Sequence, residues 1–490
     1  MSVRSATREG TASVQEEPLA VATEDSIQPM KSPIPATPEI ADKKELHELQ
    51  LVRMMGFEGK ITGGLISHPD GVHLLYALGS TIVILNMINN SQSFLRGHSN
   101  NVSCIAVNKK GDKIASGQVT YMGFKADVIL WDFSSQSMMA RFSLHKVKVQ
   151  ALAFSPNDLY LATLGGRDDG TIVMWNLEKL DSICGAPAAM QRAGCAYTVG
   201  FSREKDDVFF TVGDHTLRVW ELDLDNRKIY PTDCDLGLIK RVSKCLVPSL
   251  DDTFLLTGTT SGDIVQITTS SRVLHGYGPQ KHKYPLGIEA LCKLESGELL
   301  AGTGKGAVAL LNGESFKKIK SATVEGSVTS LSLHPSGEVC FIGTDRCRMY
   351  KMSLTDFQPE LLKLSQSSAV TDVCFPANRN ELFVTSGREN IHIWHTLSGN
   401  ELLRITLANL TCLAVVVQPD GKAIISGWED GKLRAFLPET GETSVNEKLV
   451  SAPHDVHLSM RAGGAASLSY YIIIYAVIII QSGQFMEIFK

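Results

Sequence analysis

From about Gly56 onward the chain repeats one pattern: a short run of alternating apolar and polar residues, a turn, and another such run. Val149-Gln150-Ala151-Leu152-Ala153-Phe154 leads through Ser155-Pro156-Asn157-Asp158 into Leu159-Tyr160-Leu161-Ala162-Thr163. Val328 to Leu333 does the same before His334-Pro335-Ser336-Gly337, and Thr411 to Val417 before Gln418-Pro419-Asp420-Gly421. Alternation predicts half-buried strands, and the Pro, Asn, Asp and Gly residues predict the hairpin turns between them. A longer period lies over this one. Trp131, Trp175 and Trp220 each close an apolar run and are 44 and 45 residues apart. The same unit recurs with Leu85, Val265, Leu310, Tyr350, Trp394 and Phe436 in the Trp position, at steps of 40 to 46 residues.

A period of about 40–45 residues ending in Trp-Asp is the signature of WD40 repeats, each a four-stranded propeller blade. The expected fold is therefore all-β, a WD40 β-propeller: one seven-bladed propeller plus two blades of an incomplete second propeller. The expected boundaries are a disordered tail at 1–45, seven repeats at 50–355, two further repeats at 356–440 and a non-repeat apolar tail at 441–490. Residues 1–45 are polar, acidic and proline-bearing, too poor in apolar surface to offset ordering entropy. Within them Ser32 and Thr37 precede Pro and are candidate phosphorylation positions, although a simple linker is the favoured reading. The tail carries an uncharged, β-branched run from Tyr470 to Ile480, which is 11 residues long. A spanning helix needs about 20, so the run reads as an aggregation-prone end rather than a membrane anchor.

Of 490 residues, 43% are hydrophobic, enough for a packed core, and the formal net charge is −5. That balance argues against a nucleic-acid partner, whose footprint is usually basic. The chain has 10 cysteines and no C-x-x-C pair. Cys104, Cys195, Cys245, Cys292, Cys374 and Cys412 fall in what reads as one equivalent inner-strand position, where Cys packs as a small hydrophobe. Zinc ligands need short spacings, and these lie tens of residues apart. With no signal-peptide pattern at Met1 to Gly10, an intracellular chain with reduced thiols is expected. No metal, cofactor or small-molecule substrate is expected.

The polar residues inside the repeats are also patterned. His98, Ser116 and Trp131 belong to one unit, and His145, Thr163, Asp169 and Trp175 to the next. Thr211, Asp214 and Trp220 follow, and Trp394 marks a later unit. Buried polar groups need partners, so these residues are expected to form hydrogen-bonded structural sets within blades. A catalytic Ser-His-Asp reading fails because the trio recurs from blade to blade, whereas a triad needs one site. In the unit of Trp131 the Asp position is disturbed: Asp127 stands four residues before the Trp, whereas Asp169 and Asp214 stand six before theirs. The cause is an insertion, Gly117 to Ala126, carrying Tyr121, Met122, Phe124 and Lys125. Aromatic and Met side chains on a loop suit a protein contact, and the competing reading is a loop folded back on its own blade. Gly302-Thr303-Gly304-Lys305-Gly306 lacks the Ser or Thr of a phosphate loop and reads as a blade turn.

Several segments resemble one family, the cilia- and flagella-associated protein 52 family. They are Gly97-His98-Ser99-Asn100-Asn101-Val102-Ser103-Cys104, the stretch Ile114 to Asp127 with its insertion, Ser155 to Leu161, Arg218 to Leu224, Glu401 to Thr406 and Asp430 to Phe436. The likeness runs from about residue 50 to Gly441. It implies a tandem-propeller protein inside the doublet microtubules of motile cilia, binding tubulin and neighbouring inner proteins. Family members continue with further repeats, so this chain reads as a C-terminally truncated or alternative form. The expected function is thus a non-enzymatic scaffold of the axoneme, located in cytoplasm, cytoskeleton and cilium or flagellum, with no nucleic-acid or membrane partner. The rival is a soluble WD-repeat adaptor such as a ubiquitin-ligase receptor. Such receptors commonly carry Trp-Asp-x-Arg, and the endings here, such as Trp131-Asp132-Phe133-Ser134, lack the Arg.

Overall fold

The computed structural model describes residues 51–189, 194–377 and 379–448, with three short strands at Leu458–Ser459, Ile473–Ile474 and Glu487–Phe489. The expected tail at 1–45, Ser32, Thr37 and most of the Tyr470–Ile480 run lie outside these residues. Among the described residues every regular element is a strand, and no helix is long and apolar enough to cross a membrane.

Seven four-stranded sheets follow one another along the chain. The first is built from Leu65–Ser67, His73–Leu78, Thr81–Asn86 and Gln92–Arg96. The others open with Val102–Val107, Val149–Phe154, Ala196–Phe201, Ser243–Pro248, Ile288–Lys293 and Val328–Leu333. Each is an antiparallel meander. Alternating direction puts the turns between strands two and three on the same side as the links between sheets. The remaining hairpin turns lie on the opposite side. We call these the link face and the hairpin face.

Each first strand after the first sheet carries a bulge at its second residue: Ser103, Gln150, Tyr197, Lys244, Glu289 and Thr329. A bulge re-aims a side chain. All six residues line one central cavity of about 540 Å³.

Apolar clusters fill the interface between each sheet and the next. A seventh, with Phe57, Leu65 and Tyr76 against Phe341 and Met349, joins the seventh sheet to the first. Ser332 Oγ accepts from Ser67 N at 2.8 Å across the same interface. On the hairpin face a belt of hydrogen bonds runs from turn to turn. His334 Nε2 meets the Gly71 carbonyl at 2.9 Å, and His68 Nε2 meets that of Gly111 at 2.8 Å. Asp158 accepts from Lys109 N at 2.9 Å, Asp206 from Asn157 N at 2.8 Å, and Asp252 from Arg203 N at 2.9 Å.

The last repeats form one six-stranded sheet from Val370–Cys374 to Thr443–Lys448. Its second member, Leu382–His395, runs 14 residues, yet Trp394 Nε1 donates to Thr385 Oγ1 at 2.8 Å. A straight strand would hold those residues about 30 Å apart, so the chain reverses between them, near Glu389 with its φ of 66°. Thr371 Oγ1 donates to the Cys412 carbonyl at 2.5 Å, as Ser103 Oγ does to Val149 at 2.6 Å, so the contact between sheets is copied here. Arg53 donates to the carbonyls of Ser398 at 2.7 Å and Asn90 at 3.0 Å, which ties this sheet to the first.

The structure corrects four expectations. Pairing opposite the second strand puts Ile267, Leu311 and Met352 in the Trp position, not Val265, Leu310 and Tyr350. Without a Trp, successive apolar residues carry no mark of register. The strand Pro359–Leu364 pairs within the seventh sheet, so that sheet extends beyond residue 355. A repeat counted to its Trp omits the strand that follows. For the same reason Thr443–Lys448, expected in the tail, is the outer strand of the last sheet. Finally, the cysteines occupy several positions: Cys104 and Cys245 face glycines, Cys292 and Cys374 sit further along, Cys412 precedes its bulge and Cys195 precedes its strand. The bulges shift the count.

Limited proteolysis should cut the chain between Leu364 and Val370 and leave a protected fragment that retains Pro359–Leu364. A stable fragment ending near residue 355 would contradict the placement of that strand.

Candidate functional site

The buried polar sets and the link-face turns are the two candidate sites. In the third sheet Trp175 Nε1 donates to Thr163 Oγ1 at 2.9 Å, and His145 Nε2 lies 2.7 Å from the same oxygen. His145 Nδ1 donates to Asp169 Oδ2 at 2.7 Å, and Thr171 Oγ1 donates there at 2.5 Å. Because Nδ1 carries the proton, Nε2 accepts from the Thr163 hydroxyl, and every group is paired. Burial raises the Asp169 carboxyl, but the hydrogen bonds from His145 and Thr171 outweigh it and hold it below its ordinary value. Thr163 and His145 are buried, so the hydroxyl has no path to a substrate.

The second sheet keeps the arrangement with a different acceptor. Trp131 Nε1 donates to Ser116 Oγ at 2.8 Å, which lies 2.7 Å from His98 Nε2. His98 Nδ1 meets Gln118 Oε1 at 3.1 Å, so Gln118 stands where Asp169 stands in its sheet. Asp127 is drawn outward instead, to Arg141 at 2.7 Å and Ser143 at 2.5 Å. In the fourth sheet Trp220 donates to Thr211 at 2.8 Å, but Asp214 lies outside the set. No histidine is there to meet it. A Cβ on Gly194 would come within 2.2 Å of Asp214 Oδ2. Asp214 pairs with His215 at 3.5 Å near the surface. Trp394 keeps its hydroxyl partner, and Gln366 Oε1 accepts from Thr385 at 2.8 Å in the histidine's stead. The sequence reading missed Gln118 and Gln366, and also Trp428, which donates to Ser426 Oγ at 2.8 Å while Phe436 fills the ordinary Trp position. Gln118 pairs with Val102 as Gly165 pairs with Val149, so a polar residue two positions after the blade hydroxyl was the available signal.

The insertion holds a defined shape on the link face. Thr120 N donates to the Val147 carbonyl at 2.6 Å, and Val147 N donates to Phe124 at 3.0 Å. The adjoining strands Lys125–Asp132 and Ser137–Lys146 are 8 and 10 residues long, against 6 in most others. Tyr121, Met122 and Phe124 are 75%, 78% and 64% exposed, and Lys125 is exposed beside them. The loop therefore stands clear of its own sheet.

Two further groups are structural. His68, Asp70 and His73 come within metal-ligand spacing. His68 donates Nε2–H to Gly111 and accepts from Asp70 N at 3.3 Å, while His73 donates to Asp70 Oδ2 at 2.6 Å and accepts from Asn86 at 3.3 Å. Each ring nitrogen has a protein partner, and the group locks its turn. All ten cysteines are free. Burial pushes the Cys104 and Cys245 thiols up to about 12, which keeps them protonated and unreactive.

Burial outweighs the Gln118 contact and lowers His98 from 6.5 to about 4. Between those values the unfolded chain takes up a proton that the folded chain refuses. This contribution is therefore intact above pH 6.5 and is lost as pH falls toward 4, by about 3 kcal/mol in all. Chemical denaturation from pH 7 to 4 should show that slope, and His98→Gln should flatten it. An unchanged slope in the variant would show that His98 does not carry it.

The WD domain, G-beta repeat family matches residues 89–132 and 136–176. The chain is 48% identical over 403 residues to cilia- and flagella-associated protein 52 of Mus musculus, covering 82% of this chain and 65% of the relative. It is 44% identical over 398 residues to that of Macaca fascicularis, covering 81% and 69%. With that of Chlamydomonas reinhardtii it shares 40% over 413 residues, covering 84% and 65%. The chain thus spans about two thirds of the length of these relatives. The WD signature, the sheets and this identity across most of the chain agree, and the chain belongs to the cilia- and flagella-associated protein 52 family.

Proposed function

We propose that this chain is a non-catalytic scaffold of motile cilia and flagella, a microtubule inner protein that binds tubulin and neighbouring inner proteins of the axonemal doublets. The seven sheets serve as one propeller, and the six-stranded sheet belongs to a second. The relatives' printed name supports the ciliary setting. The observation that carries the contact role is the insertion: a hydrogen-bonded loop presenting Tyr121, Met122 and Phe124 to solvent. Large apolar side chains held in place at a surface suit an interface, because little ordering is left to be done on binding. Buried polar sets, repeated from sheet to sheet, offer no counterpart as a reaction centre. A soluble WD-repeat adaptor is the second reading, and its Trp-Asp-x-Arg ending is missing from every Trp of this chain.

High-salt washing of isolated axonemes should leave the protein on the doublets, and recovery mainly in the wash would favour the adaptor. Replacing Tyr121, Met122 and Phe124 with Ser should change stability by no more than about 0.5 kcal/mol, as exposed positions do, yet reduce incorporation. Normal incorporation of the folded variant would remove the loop from the interface.

A further inference from the structure

A second part of the link face has the features of a docking surface, and it lies away from the insertion. Two links flank the fifth sheet, residues 234–242 before it and 279–287 after it. Each has an inner anchor and, two residues later, an exposed tip. In the first link Leu236 packs into the cluster between the fourth and fifth sheets, and Leu238 is fully exposed. In the second, Tyr284 packs between the fifth and sixth sheets, and Leu286 is 73% exposed.

One carboxylate fastens both links. Asp263 is fully buried, on the turn between the second and third strands of the fifth sheet. It takes Arg241 of the first link at 3.0 Å and Lys283 of the second at 2.7 Å. The second link also lies directly on two glycine turns. A Cβ at Gly262 would meet the Tyr284 carbonyl at 2.0 Å, and one at Gly304 would meet that of Leu286 at 2.3 Å. Gly304 N donates to Gly287 O at 3.1 Å, which places the Gly304-Lys305-Gly306 turn against the link. The exposed cations here are Lys240, Lys281, Lys283 and Lys305, with Asp235 as the exposed acid of the two links. A chain whose net charge is −5 therefore gathers cations around two rigidly held leucines.

We propose that Leu238, Leu286, Lys240, Lys281 and Lys305 form a docking surface for an acidic protein segment that carries apolar side chains. The cations match its carboxylates, the leucines match its apolar groups, and Asp263 is a positioning residue that fixes both tips before binding. Pre-ordering of this kind removes a cost that flexible loops incur on association. The surface is independent of the Tyr121 loop, so either can fail without the other.

The test uses the full chain and a fluorescein-labelled peptide of Glu, Gly and Leu, read by fluorescence anisotropy. The wild type should bind it, more weakly as salt rises, and should bind a Glu-Gly peptide less well. K240E/K281E/K305E should lower affinity roughly tenfold or more, since like charge at an interface opposes association. L238S/L286S should lower it severalfold, with the thermal transition unchanged in both surface variants. Asp263→Asn should raise amide exchange in both links and weaken the peptide, while the Tyr121, Met122 and Phe124 serine variant should bind normally. No binding by the wild type, or equal binding by the charge-reversed variant, would overturn the proposal. So would tighter binding to single-stranded DNA or to phosphatidylserine vesicles, which would assign the patch to phosphate surfaces.

Discussion

Each of these sheets is only four strands wide and apolar on both faces, so neither face is buried until another sheet covers it. Burial of one Phe or Leu side chain contributes about 1.5–3 kcal/mol, and almost all of that is realised here between sheets rather than within them. Trp131, Phe209 and Phe341 each sit in a cluster shared by two sheets. The rest of the molecule follows from this dependence. Neighbouring turns are tied by His334, His68, Asp158, Asp206 and Asp252 because slippage of one sheet would uncover the next. The polar sets around Trp131 and Trp175 keep the buried indole nitrogens paired where the faces close. With both faces committed to packing, the turns and the central cavity are what remains for partners.

That division explains what the sequence made legible. Trp131, Trp175, Trp220 and Trp394 mark third strands because a large indole fits only one place in the interface, and the structure finds all four there. Where aliphatic residues take that place the mark disappears, and the positions of Ile267, Leu311 and Met352 emerge only from strand pairing. Strands that lack a signature residue, such as Pro359–Leu364, blurred the boundary between repeats for the same reason.

The candidate sites were legible to different degrees. The insertion showed itself as extra residues in a regular period, and the structure adds that its aromatic tips face solvent. Gln118 and Gln366 were hidden because a hydrogen-bonded set asks for an acceptor at a position, not for one residue type. Leu238 and Leu286 were hidden more deeply. Leu236-Gly237-Leu238 reads like alternating strand, and nothing in the letters says which leucine points outward. The role of Asp263 depends on Arg241 and Lys283, which reach it from links on either side of its sheet.

If function resides on the link face, its lysines should be the ones that meet partners. Lysine-directed crosslinking of intact axonemes, read by mass spectrometry, tests this directly. The account predicts crosslinks to other axonemal proteins from Lys125, Lys240, Lys281 and Lys305, with few from Lys109, Lys110 and Lys179 on the hairpin face. Crosslinks concentrated on the hairpin-face lysines, with the link-face lysines modified only as free surface groups, would contradict it.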